Sequence, residues 1–166
     1  MTATDTISFI THSAKETTDF GHFLATSLRG GHVIGLIGGL GSGKTVLVKA
    51  IAQALGVRYP VKSPTFVLMT SHYVHGRGIL LLNHVDCYRV GRLTLTDCAA
   101  LREAMEMPHA VTLIEWADRI PSLLTHIPKT RRTLLTFDVI DTRTRRIAAS
   151  GALTGSMRKW AKARPS

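Results

Sequence analysis

The segment Gly38–Thr45 reads GGLGSGKT and fits G-x-x-x-x-G-K-[ST] at every fixed position. Residues of these types at this spacing suit the grip of a polyphosphate. Glycines let backbone N–H groups turn inward around phosphate oxygens, where a Cβ would clash. The Lys44 ammonium suits β- and γ-phosphates, and the Thr45 hydroxyl suits Mg2+. Gly38, Gly39, Leu40, Gly41, Ser42, Gly43, Lys44 and Thr45 are therefore the candidate nucleotide-binding residues. Lys44 is expected at a surface-facing junction of loop and helix.

A loop of this kind needs a carboxylate to complete its Mg2+ site, normally at the end of a neighbouring strand. Asp86 closes the run ILLLNHVD, and Glu115 closes VTLIE. Each follows apolar residues, which predicts a position at a strand's carboxyl end, where α/β sheets bind ligands. Spacing alone does not choose between them.

The elements that must hold these groups are legible as patterns. HVIGLIGG is an apolar, strand-length run entering the loop, and Lys44–Leu55 reads as the helix leaving it, stopped by Gly56. Upstream, TISFI predicts a short strand. Ser13 and Glu16 have capping-box spacing ahead of an amphipathic helix over residues 14–28. Downstream, TFVLMTSHYV and GILLLNHVDCYRV flank HGRG as paired strands, TLTDCAALREAMEM reads as helix, and HAVTLIEW as strand. RRTLLTFDVI and TRRIAASGAL predict a terminal hairpin around DTRT. Strands alternating with helices indicate a single α/β domain with a largely parallel central sheet flanked by helices.

Composition sets the outer bounds. The chain has 166 residues, 45% hydrophobic and 19% charged, which suits one domain with a buried core. No apolar run approaches the roughly 18 residues of a membrane span, and the first residues lack the basic start of a secretory signal. A cytoplasmic protein with no membrane partner is expected. Cys87 and Cys98 read as reduced thiols, and the eight histidines show no metal-ligand spacing. The net charge of +10, from 21 basic and 11 acidic residues, crowds toward the C-terminal third, a balance that suits a polyanion such as a nucleic acid.

GGLGSGKT, VKSPTFVL (Val61–Leu68), HVDCYR (His84–Arg89) and IEW (Ile114–Trp116) occur in that order. This ordered set resembles the TsaE family, also called YjeE, small P-loop ATPases of bacterial tRNA threonylcarbamoyladenosine synthesis, over roughly residues 5–150. The resemblance implies a P-loop fold, ATP and Mg2+ as cofactors, and Mg2+-dependent attack of water on the γ-phosphate. It gives Lys44, Asp86 and Glu115 the catalytic duties and Thr45 and Glu115 the metal. Asp86 would orient the attacking water or support the metal from one layer out, and Trp116 would pack near the nucleotide. It makes Ser63–Phe66 a switch-like loop in which Thr65 senses the γ-phosphate. It brings Ser13, Thr17 and Arg143 toward the adenine and ribose. The implied partners are TsaD and TsaB, with tRNA reached through that complex, and the implied duty is to reset the complex between cycles.

Two departures stand out: Gly39 occupies a position usually acidic in the family, and Cys87 replaces an aliphatic residue. Residues 1–150 are expected to form the ATPase domain, and 151–166 a flexible basic tail. Two rival readings share the loop: a small-molecule or nucleoside kinase, and an RNA-binding module holding ATP as a structural ligand.

Overall fold

The strands are β1 (Thr6–Thr11), β2 (Val33–Ile37), β3 (Met69–Tyr73), β4 (Leu81–Asp86), β5 (Ala110–Glu115), β6 (Arg132–Val139) and β7 (Arg145–Gly151). The helices are α1 (Ala14–Ser27), α2 (Lys44–Ala54), α3 (Leu95–Glu106), α4 (Pro121–Thr125) and α5 (Thr154–Lys162), with a 3-10 turn at Ala117–Arg119. They belong to a computed structural model that describes residues 6–59, 61, 68–74, 78–89, 91 and 93–163. The proposed switch residues Ser63, Pro64, Thr65 and Phe66 lie outside the described residues.

The seven strands among the described residues form one sheet in the order β1-β7-β6-β2-β5-β4-β3. Its centre is parallel, with β2 between β6 and β5, and β5 pairing β4. Both margins are antiparallel: β3 returns along β4, while β6, β7 and β1 form the other flank. The expected α/β architecture and C-terminal hairpin are therefore present.

Alternation along the strands sorts side chains to two cores. Ile34, Leu36, Leu82, Val111, Leu113, Leu135 and Phe137 meet α1 and α2 through Phe20, Leu24, Leu47, Val48 and Ile51. Val33, Val85 and Ile114 meet α3 and α4 through Leu101, Met105, Leu123 and Leu124. The α3 side also buries Asn83, whose amide donates to Ala104 O at 3.3 Å and accepts from Ser71 Oγ at 2.8 Å. Gly35 keeps β2 close to its neighbours, since a Cβ there would lie 2.8 Å from Leu134 Cδ2 and 2.9 Å from Ala117 Cβ.

Ser13 caps α1 by accepting from the Glu16 N–H at 3.1 Å. Glu16 in turn accepts from the His12 N–H at 2.9 Å, one residue earlier than a capping box requires. The capping box instead belongs to α3, where Thr94 and Asp97 bond reciprocally.

The expected flexible tail is corrected. Residues 154–162 form α5, and β7 runs to Gly151 across the expected boundary at residue 150. Met157 is fully buried, and the Trp160 ring lies 5.8 Å from Phe20 and 5.3 Å from Phe23. Leu153, Met157 and Trp160 recur at helical spacing, so one side of the segment is apolar while Arg158, Lys159 and Lys162 are exposed.

At the sheet end away from the glycine-rich loop, the His32 Nδ1 accepts the Arg29 N–H at 3.2 Å. Burial, then the charges of Arg29 and Arg131, hold the His32 imidazole below its ordinary value of 6.5. The fold thus favours neutral His32, and the unfolded chain binds the proton more readily. Stability should hold above pH 6.5 and fall as the pH drops through that value. His32→Gln should flatten this fall in urea titrations at pH 7.5 and pH 5; an unchanged pH slope would show that His32 is not its source.

Candidate functional site

The chain leaves β2 at Ile37 and enters α2 at Lys44, and Gly38–Gly43 make the turn between them. Gly38, Gly41 and Gly43 have φ of 146°, 71° and 105°, a region that side chains rarely adopt. At Gly38 a Cβ would also meet Phe137 O at 2.7 Å. Gly39 differs: a Cβ would meet nothing within 4 Å, so no close approach requires a glycine there.

Lys44 is not at the surface as expected; it is 4% exposed. Its Nζ donates to Gly38 O at 2.7 Å, Gly39 O at 2.8 Å and Ser42 Oγ at 3.3 Å. The indole of Trp116 lies against the ammonium, 4.1 Å from Nζ to the ring centroid. Burial holds the ammonium below the ordinary lysine value, and the charges of Glu115, Asp86 and Asp118 oppose that shift.

Both sequence-predicted carboxylates reach this loop. β4 and β5 pair Asp86 with Glu115 in register at their carboxyl ends. Glu115 is buried at 2% exposure, with its Oε2 accepting from Thr45 Oγ1 at 2.7 Å. Its other oxygen, Oε1, lies 2.9 Å from Nε2 of the fully buried His84. Asp86 is half-buried and accepts the Tyr88 N–H at 2.9 Å. A cavity of about 340 Å³ opens here, bounded by Gly41–Val46, Asp86, Arg89, Glu115 and Trp116.

Trp116 follows Glu115 with φ 57°, a left-handed backbone otherwise seen only at glycines among the described residues. That turn lays its ring beside Tyr88, 4.9 Å between centroids, and beside Arg119 at 5.4 Å. Cys87 points into the α3 core. Burial, then the Asp86 charge, pushes its thiol up to about 12, so it is an inert core thiol.

The three residues implied for the base and ribose separate. Thr17 is buried and reaches the loop, its Cγ2 3.9 Å from where a Gly43 Cβ would stand. Ser13 is occupied in capping α1. Arg143 sits in the β6–β7 turn, where its N–H donates to Asp141 Oδ1 at 2.8 Å. The side chain that reaches the loop from this hairpin is Arg145, whose Nη2 donates to Gly41 O at 3.0 Å. His84 and Arg145 were given no role by sequence reasoning. The signal for His84 was its place two residues before Asp86, on the same strand face.

Thr45 and Glu115 supply two hard oxygen donors, the chemistry that suits Mg2+ held jointly by protein and phosphate. Among the described residues, no group of three His, Cys, Asp or Glu side chains could hold a metal on its own.

A family model described as "Threonylcarbamoyl adenosine biosynthesis protein TsaE" matches residues 11–147. The chain is 36% identical to the tRNA threonylcarbamoyladenosine biosynthesis protein TsaE of Mycobacterium tuberculosis, over 66% of this chain and 68% of the relative. It is 36% identical to the protein of the same name from Treponema pallidum, over 69% of this chain and 82% of the relative. Its fold is similar to the crystal structure of Bacillus subtilis YdiB, with a TM-score of 0.71, 23% identity, and coverage of 98% of this chain and 99% of that one.

Lys44→Met keeps the length of the side chain and removes its donors. Gly38 O, Gly39 O and Ser42 Oγ then lose their shared partner, which should lower the unfolding free energy by about 1–3 kcal/mol. Urea unfolding of the two proteins measures the difference; equal midpoints and slopes would show that these bonds do not support the fold.

Proposed function

The chain belongs to the TsaE family of tRNA threonylcarbamoyladenosine biosynthesis, and from that membership we propose that it is a Mg2+-dependent ATPase. Its proposed duty is to reset a TsaB–TsaD threonylcarbamoyl-transfer complex in the cytoplasm, with tRNA reached through that complex. The observation that carries the reading is the 2.7 Å bond between Thr45 and Glu115. It joins the end of the glycine-rich loop to the end of β5, next to the buried Lys44.

The residues fit the roles. Backbone N–H groups of Gly38–Thr45 and the N-terminus of α2 bind phosphate oxygens. The Lys44 ammonium, already desolvated, meets β- and γ-phosphate charge, and it exchanges its bonds to Gly38 and Gly39 for bonds to the nucleotide. Thr45 and Glu115 hold Mg2+, which when bound neutralises charge developing on the phosphates. Asp86, open to the cavity, orients the attacking water. Trp116 and Tyr88 wall this end of the cavity and limit bulk water. Arg89, the arginine of the H-x-D-x-Y-R stretch, lines the same space.

The testing experiment is phosphate release from ATP by the protein alone, with TsaB and TsaD, and with candidate acceptors. Stimulation by TsaB and TsaD supports the reading, whereas phosphate transfer to an acceptor would replace it with a kinase. Nucleotide binding without turnover under every condition would replace it with a binding module. Glu115→Gln should weaken Mg2+-dependent nucleotide binding, while Asp86→Asn should spare binding more than turnover. Lys44→Ala should lower turnover by about 10²–10³-fold, the cost of losing one preorganised charge contact. Mg2+ titrations giving the opposite order for the two acids would exchange their roles.

A further inference from the structure

We propose that His84 is a positioning residue for the metal site, orienting the Glu115 carboxylate so that one oxygen stays directed at Thr45. This rests on the reading of Thr45 and Glu115 as Mg2+ ligands. The inference starts from the two oxygens of Glu115. One accepts from Thr45 Oγ1 at 2.7 Å, and the other faces His84 Nε2 at 2.9 Å. Held at both oxygens, the carboxylate cannot turn about its own axis without breaking a bond. Glu115 is 2% exposed and His84 fully buried, so water has little access to replace either partner.

His84 is there because of strand geometry. Leu82, His84 and Asp86 project from the same face of β4, the face that packs toward α2. β5 presents Val111, Leu113 and Glu115 on that face, with Leu113 opposite His84 and Glu115 opposite Asp86. A residue two positions before Asp86 therefore lies one step inside the sheet, beneath Glu115, while Asp86 itself opens to the cavity. An apolar side chain would fill this place at lower desolvation cost. What imidazole adds is a donor aimed at the carboxylate.

The other ring nitrogen supports the assignment. His84 Nδ1 is buried and has no hydrogen-bond partner among the described residues. A carboxylate only accepts, so Nε2 carries the proton. With Nδ1 unpartnered, Glu115 is the ring's hydrogen-bond partner, and His84 fixes the direction of that carboxylate.

The test measures Mn2+ and Mg2+ affinity with a non-hydrolysable ATP analogue, by electron paramagnetic resonance and calorimetry. Nucleotide affinity in EDTA and the thermal midpoint are measured alongside. His84→Leu removes the donor, and His84→Gln returns an amide N–H at similar reach. Metal affinity should fall about 10–100-fold in His84→Leu, as for loss of a partner that orients a metal ligand. His84→Gln should recover most of it, and nucleotide affinity in EDTA should stay unchanged in both. If His84→Leu does not fold, His84→Asn, whose amide stops short of Glu115, takes its place. Metal affinity equal to the parent's in the donorless variant overturns the proposal. So does equal loss in the Gln variant. If the parent itself shows no Mg2+-dependent nucleotide binding, the metal reading falls and takes this proposal with it.

Discussion

β2, β5 and β4 lie side by side and run in the same direction, and that shared direction decides where polar chemistry collects. β2 delivers the chain to the glycine-rich loop at the end where Glu115 closes β5 and Asp86 closes β4. Reversing any one of these strands would carry its terminal group to the far end of the sheet, about 17–20 Å away. Register is equally constraining. A slip of one residue in β4 would turn His84 and Asp86 toward α3 and drive Asn83 into the α2 core. The apolar residues of β4, Leu82 on the α2 face and Val85 on the α3 face, resist that slip because each would leave its own core. Burial of hydrocarbon thus sets the positions of the carboxylates.

The same constraint explains which features were legible in the sequence. The glycine-rich loop could be read because its residue types and their order are adjacent in the chain. Asp86 and Glu115 could be read because each ends an apolar run, and strand ends are where such sheets carry ligands. Family resemblance separated their expected duties, which spacing had left open. The bond between Thr45 and Glu115 joins residues 70 positions apart, and that between His84 and Glu115 spans 31. Pairings of this kind depend on strand order and register, which local patterns do not encode. Arg145 illustrates the limit: the hairpin was visible, but which of its arginines reaches Gly41 follows from the face on which each residue falls.

Two expectations failed for a common reason: charge drew more weight than packing. Lys44 looked like a surface residue because lysine usually is one, yet three oxygens and an aromatic face receive its ammonium. The last segment looked like a solvated tail because its bases dominate the composition. Leu153, Met157 and Trp160 form a narrow apolar stripe that the charge obscures, and it seats α5 against α1. Long basic side chains cover such a stripe from the sides while their charged ends remain in water.

The antiparallel pairing of β1 with β7 has a consequence for how the chain folds. Thr6 lies opposite Ser150, so two strands far apart in the sequence are neighbours in the sheet. Phe9 on β1 and Phe20 on α1, whose rings sit 4.8 Å apart, have no finished core to enter until β7 and α5 are in place. The central parallel strands close across shorter stretches of chain and can assemble earlier. Loop-closure entropy makes pairings as distant as β1–β7 slow to form. A chain still folding therefore carries an unpaired strand and exposed aromatic rings until that distant pairing forms, the interval in which a chaperone has most to protect.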